Sequence, residues 1–125
     1  MARIARVVVP GVPHHVVQMG NRMQQTFWEE SDYQHYLHLL KESCFRNEVA
    51  IRAYCLMPNH VHLVLVPNTD EGLTKAVGQT HQQYTKMINL RQRCTGHLWQ
   101  GRYSSYPMDK NYLFACLRYI EMNPV

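Results

Sequence analysis

Apolar and polar positions along this chain follow two rhythms, one of period two and one near 3.6, and each switch between them marks a new element. His14 to Met19 read as a strand that ends at Gly20-Asn21. Ser31 and Gln34 have the spacing of a capping box. Tyr33, Tyr36, Leu37, Leu40 and Cys44 then recur at helical intervals. Residues 50–57 form a second strand, stopped at Pro58-Asn59. Residues 60–66 are a continuous β-prone run ended by Pro67, as a strand covered on at least one face requires. Asn68 to Asp70 can cap a second helix that carries Leu73, Val77, Tyr84 and Ile88. A turn-rich stretch from Arg91 to Gly101 leads to a short strand near 102–107. Asp109 caps a last helix, which stops at Asn123-Pro124 because a residue before proline disfavours the α region.

The elements therefore run β-α-β-β-α-β-α. The turn at Pro58-Asn59 is too tight for a crossover, so the two middle strands make an antiparallel hairpin. This is the ferredoxin-like (split βαβ) pattern of the α+β class: an antiparallel sheet, helices on one face and an extra helix at the C-terminus. With 125 residues and no repeat, linker or low-complexity tract, residues 1–125 are expected to form one domain. Such a fold hosts many activities, so function has to come from the site.

Composition narrows the classes. No apolar run is long enough to cross a membrane, and Val7-Val8-Val9 is cut off by Pro10, too short for a signal-peptide core; a cytoplasmic location is expected. Cys44, Cys55, Cys94 and Cys116 are widely spaced and form no CxxC pair, which argues against a zinc ribbon or a disulfide scaffold. The net charge of +4 mildly favours an anionic partner. Nine of the thirteen cations are arginines, the residue suited to two-point phosphate contacts and to stacking on bases.

His60 and His62 lie two apart on one strand and so project from one face, with Val64 and Val66 continuing it; Val61, Leu63 and Leu65 take the other. Two imidazoles on a rigid face are half a site for a divalent cation. The plainer alternative is one buried and one exposed histidine. Both, however, interrupt an otherwise apolar strand, which is costly without a purpose.

Leu56-Met57-Pro58-Asn59-His60-Val61-His62-Leu63 resembles the HUH signature (His, hydrophobic, His) of the single-tyrosine transposases. Three further segments are similar to the branch of REP-associated tyrosine transposases: Gln18 to Arg22, Gly96 to Tyr103, and Arg118 to Val125. The blocks lie in the family's order and span almost the whole chain. The resemblance implies a metal-dependent endonuclease and strand transferase acting on single-stranded DNA through a 5′-phosphotyrosine intermediate. It implies that Tyr119, among the eight tyrosines, is the nucleophile and that Asn123 is the third metal ligand beside His60 and His62. Helical spacing agrees, since Tyr112, Cys116, Tyr119 and Asn123 share one stripe while Leu113, Leu117 and Ile120 share another. Tyr84, on a helix at core spacing, reads as packing. No general base is evident. On affinity, two imidazoles and an amide favour Mn2+ over Mg2+; cellular abundance keeps Mg2+ in play.

Between residues 91 and 106 the chain supplies Arg91, Arg93, His97, Trp99, Arg102, Tyr103 and Tyr106, a mixture suited to phosphates and unstacked bases. Trp99 and Tyr103 read equally as core residues. Arg22 and Arg118 are further phosphate candidates, Arg118 reading equally as a solvated helix charge; His14 and His15 read as structural, with a place beside DNA the alternative. By resemblance the substrate is a palindromic extragenic repeat folded as a hairpin with a short single strand beside it, and the protein is nucleoid-associated, as monomer or homodimer. Family members usually continue past the Asn-Pro-Val block, so a chain truncated at its C-terminus is expected. The competing readings are a non-catalytic single-stranded nucleic-acid-binding module, a replication initiator or relaxase, and a domesticated repeat-binding relative. The histidines on the central strand disfavour the first, and the single C-terminal tyrosine and small size disfavour the second.

Overall fold

The computed structural model describes residues 7–121. Its elements are β1 (His14–Met19), a 3-10 turn (Asn21–Met23), α1 (Glu30–Arg46), β2 (Val49–Met57), β3 (His60–Pro67), α2 (Gly72–Gln92), β4 (Ser104–Pro107) and α3 (Lys110–Glu121). The four strands make one sheet in the order β2-β3-β1-β4, with every neighbouring pair antiparallel. Each βαβ unit thus leaves room for one strand between its own two, which is the ferredoxin-like arrangement expected from the element order.

One detail differs at the start of α1. The capping box is built by Glu29 and Asp32, two residues before the expected Ser31 and Gln34. Asp32 accepts the backbone N–H groups of Trp28 and Glu29 at 2.9 and 3.1 Å, so a carboxylate at the third helical position serves the orphan donors better than a serine further in. The start of α2 is tied by Thr69, whose hydroxyl accepts the Gly72 N–H at 3.0 Å. The expected stop of α3 at Asn123-Pro124 lies outside the described residues.

The helices divide between the two faces of the sheet. Tyr36, Leu40 and Cys44 of α1 and Leu73, Val77, Tyr84 and Ile88 of α2 pack on Val16, Val61, Leu63 and Leu65 in the main core. Burying a large apolar side chain is worth about 1.5–3 kcal/mol, so this layer carries most of the stability. The opposite face holds a small second cluster of Val64, Met108 and Cys116, against which Leu113, Leu117 and Ile120 of α3 rest. Alternation along β3 sets this division and leaves His60 and His62 on the thinly covered side. All four cysteines are free, and among the described residues no helix is long and apolar enough to cross a membrane.

Candidate metal and nucleic-acid site

The strand register assembles the site. On the α3 face, β1 sets Met19 opposite His60, Val17 opposite His62 and His15 opposite Val64; β2 sets Met57 opposite His60 and Cys55 opposite His62. The His60 and His62 rings stand 5.0 Å apart and nearly perpendicular, at 81°. His60 Nδ1–H donates to Asn59 Oδ1 at 2.7 Å, which leaves its Nε2 lone pair bare. His62 Nδ1 meets His15 Nε2 at 3.1 Å, with the two rings nearly parallel at 19° and their centroids 5.3 Å apart. His15 Nδ1 in turn meets the Tyr112 hydroxyl at 3.1 Å.

Burial disfavours the imidazolium form throughout this cluster. It lowers His15 and His60 from the usual histidine value. At His62 burial acts together with the charges that His60 and His15 would carry, and lowers the group to about 4. All three rings are therefore neutral at pH 7, the state in which an imidazole binds a metal. His60 and His62 thus fit as half of a divalent-cation site. Among the described residues no three His, Cys, Asp or Glu side chains are arranged so that together they could hold a metal ion. Asn123, the expected amide ligand, lies outside the described residues.

Helix α3 brings Tyr119 to this face. Asp109 caps the helix by accepting the Tyr112 N–H at 2.8 Å. Cys116 is the most buried point of the helix, so its stripe with Tyr112 and Tyr119 faces the sheet alongside the leucine stripe. Tyr119 lies edge-on to His62, ring centroids 5.5 Å apart at 69°, with about half of its surface (52%) exposed. Tyr84 by contrast is fully buried and donates its hydroxyl to the Thr26 carbonyl at 2.7 Å.

The residues expected at DNA separate into two groups. Arg22, Arg93, His97, Arg102 and Arg118 are exposed. Arg22 and His97 share a corner at the His60 end of the site: the 3-10 turn is held to residues 97–98 by Asn21 N–H to Leu98 O at 2.8 Å and by Gln24 Nε2 to the His97 and Leu98 carbonyls, both at 3.2 Å. Gly20 makes that docking possible. It bridges to Trp99 and donates to Asn59 O at 2.8 Å, and a Cβ there would sit 2.2 Å from the Gln24 carbonyl.

Trp99, Tyr103 and Arg91 are engaged by the scaffold: Trp99 and Tyr103 are buried, in line with their reading as core residues, and Arg91 is exposed but ion-paired. Trp99 is buried, with its ring stacked on His81 at 4.5 Å and further aromatic neighbours in Phe27, Tyr36 and Tyr84. Tyr103 is buried in the same core, its hydroxyl 3.2 Å from that of Thr74. Arg91 is paired with Asp32 at two points and lies over the Trp28 ring. A small domain has few large apolar groups, and the core claims them first. Asn59 and Tyr112 are not among the expected site residues, and His15 is expected there only as the alternative to a structural role. Asn59 adjoins the motif and is visible in it, whereas His15 and Tyr112 reach the site only through the pairing of β1 with β3 and the docking of α3.

The model of the IS200-like transposase family matches residues 9–123. This chain belongs to that family. Its fold is similar to that of a REP-associated tyrosine transposase solved bound to a REP hairpin, with a TM-score of 0.79 at 20% identity over 99% of this chain and 73% of that one. It is also similar to a candidate transposase of Deinococcus radiodurans R1, with a TM-score of 0.64 at 19% identity over 99% of both chains. No curated protein sequence matches the chain.

Proposed function

We propose that this domain nicks and rejoins single-stranded DNA, with Tyr119 as nucleophile and His60, His62 and Asn123 as the side chains that hold a divalent cation, Mg2+ or Mn2+. The observation that carries the reading is the edge-on approach of Tyr119 to His62, which brings the family's nucleophile position against the two-histidine strand. The bound cation would polarise the scissile phosphate and offset its developing charge. The Tyr119 oxygen attacks the phosphorus, the bond from phosphorus to the 3′ oxygen breaks, and the 3′-hydroxyl leaves with a proton in exchange for the phenol's. The product is a 5′-phosphotyrosine, and the same steps reversed join a new strand. The half-exposed face around Tyr119 leaves room for a strand to enter.

Arg22, Arg93, His97, Arg102 and Arg118 are the proposed DNA contacts, and the likeness to a transposase bound to a hairpin supports a hairpin with an adjoining single strand as substrate. Such a substrate places the work at chromosomal DNA in the cytoplasm. The test is incubation with labelled hairpin DNA carrying a single-stranded flank, in Mn2+, followed by denaturing electrophoresis. A shifted adduct that disappears in Tyr119→Phe supports the reading. Cleavage without an adduct would make the protein a hydrolytic nuclease, and hairpin binding with neither cleavage nor adduct would make it a binding protein.

A further inference from the structure

His14 and His15 are neighbours with opposite duties. His14 faces the main core, where its Nδ1–H donates to the Val12 carbonyl at 2.7 Å and its Nε2 accepts the Val9 N–H at 3.2 Å; both nitrogens are spent on backbone. His15 faces the other way and spends both of its nitrogens on side chains at the site: Nε2 on His62 Nδ1 and Nδ1 on the Tyr112 hydroxyl, each at 3.1 Å.

Two neutral imidazoles joined nitrogen to nitrogen need one donor and one acceptor, so the chain Tyr112–His15–His62 has only two arrangements. In one, Tyr112 donates to His15, His15 Nε2–H donates to His62 Nδ1, and the proton of His62 is left on Nε2. In the other, His62 Nδ1–H donates to His15 Nε2 and His15 Nδ1–H donates to the Tyr112 oxygen. Only the second leaves His62 Nε2 with a bare lone pair. Tyr112 is 43% exposed, so in that arrangement its own O–H can turn to water. The second arrangement also matches His60, whose Nδ1–H is held by Asn59. The two rings lie nearly parallel, 19° apart, and meet edge to edge, so the contact aligns the ring planes as well as the nitrogens.

We propose that His15 is a positioning residue that holds His62 as its Nδ1–H tautomer, Nε2 open to a divalent cation, with Tyr112 as the terminal acceptor. The proposal rests on the reading of His60 and His62 as cation ligands. Carboxylates and carbonyls usually fill this place behind a metal-binding histidine, and a neutral imidazole does the same work only while its own far nitrogen has an acceptor.

The test has two readouts on the same samples. Nitrogen-15 spectra of the metal-free protein report which ring nitrogen of His62 carries hydrogen, and calorimetric titration with Mn2+ alone reports affinity. Wild type should show His62 protonated at Nδ1. His15→Phe, which keeps a ring against His62 but accepts nothing, should lose that preference and bind Mn2+ about 10–100-fold more weakly. His15→Gln, whose amide oxygen can accept from His62, should recover most of the affinity. Tyr112→Phe, which removes one half-exposed hydroxyl and keeps the ring, should fold and should weaken binding by about two- to tenfold. A wild-type His62 protonated at Nε2, or Mn2+ affinity unchanged in His15→Phe, would overturn the proposal. Should His15→Phe fail to fold, the wild-type spectrum and Tyr112→Phe still decide it. Should wild type bind no Mn2+ at all, the cation reading falls, and the His62 tautomer alone decides whether His15 has this role.

Discussion

Arg91, in the last turn of α2, grips the Asp32 carboxylate at two points, 2.5 and 3.1 Å, and so ties the end of one core helix to the start of the other. Asp32 is almost wholly buried, 1% exposed at its side chain, while Arg91 is 38% exposed. Burial alone would raise the Asp32 carboxyl. The hydrogen bonds from Arg91 and from the Trp28 and Glu29 N–H groups overcome that and hold it below its ordinary value.

Arg91→Ala should therefore act on stability. Removing one partner of a buried pair costs roughly 3–5 kcal/mol when both charges are enclosed. Solvent around Arg91 and the two surviving backbone bonds reduce the expected loss to about 2 kcal/mol, read from urea denaturation. Arg93→Ala and Arg118→Ala should barely change stability, and each of these and Arg102→Ala should lower the salt dependence of single-strand binding by about 0.7 in log–log slope. An Arg91→Ala protein of full stability with a reduced salt slope would return Arg91 to the DNA.

Three phenols compete for the role of nucleophile, and single-oxygen deletions separate them. Tyr119→Phe should fold and bind DNA as wild type and form no adduct. Tyr84→Phe should form adduct normally and lose about 1 kcal/mol, because its buried hydroxyl donates to the Thr26 carbonyl. Tyr112→Phe should still form adduct. Abolition in Tyr112→Phe alone would mean that the phenol bonded to His15 is the attacking group.

Acid should destabilise the fold well before carboxylates titrate. His14, His15 and His60 are lowered by burial, His62 is lowered to about 4 and His81 to about 3. Below the unfolded value near 6.5 the unfolded chain takes up protons that the folded one refuses, so stability falls as pH drops towards 4 and 3. Above 6.5 both states are neutral and these groups contribute nothing. Melting temperature should thus be flat from pH 8 to 7 and fall steadily from pH 6.5 to 4. His81→Gln, which can still bond the Tyr36 hydroxyl across the 2.7 Å contact, should make that fall shallower.

Gly20→Ala tests the corner that presents Arg22. The added methyl would collide with the Gln24 carbonyl and crowd that of Asn59, both backbone atoms that cannot swing aside. A loss of about 1–3 kcal/mol is expected, together with weaker hairpin binding, since the loop must leave the Pro58-Asn59 turn. Unchanged binding in Gly20→Ala would remove this corner from the DNA path.

Local pattern determined much of this protein. Period-two and period-3.6 spacing set the order of strands and helices, and alternation along residues 60–66 put His60 and His62 on one face, because those rules involve residues a few positions apart. Tertiary structure decided what depends on partners far along the chain. The register of β1 against β3 carries His15 to His62. The contact between α1 and α2 pairs Arg91 with Asp32, the third helical residue of a capping box that begins at Glu29. Core packing claims Trp99 and Tyr103, which as residue types suit a base-stacking platform equally well. An aromatic ring or a guanidinium has the same local signature in either role, and only the groups that reach it through the fold select between them.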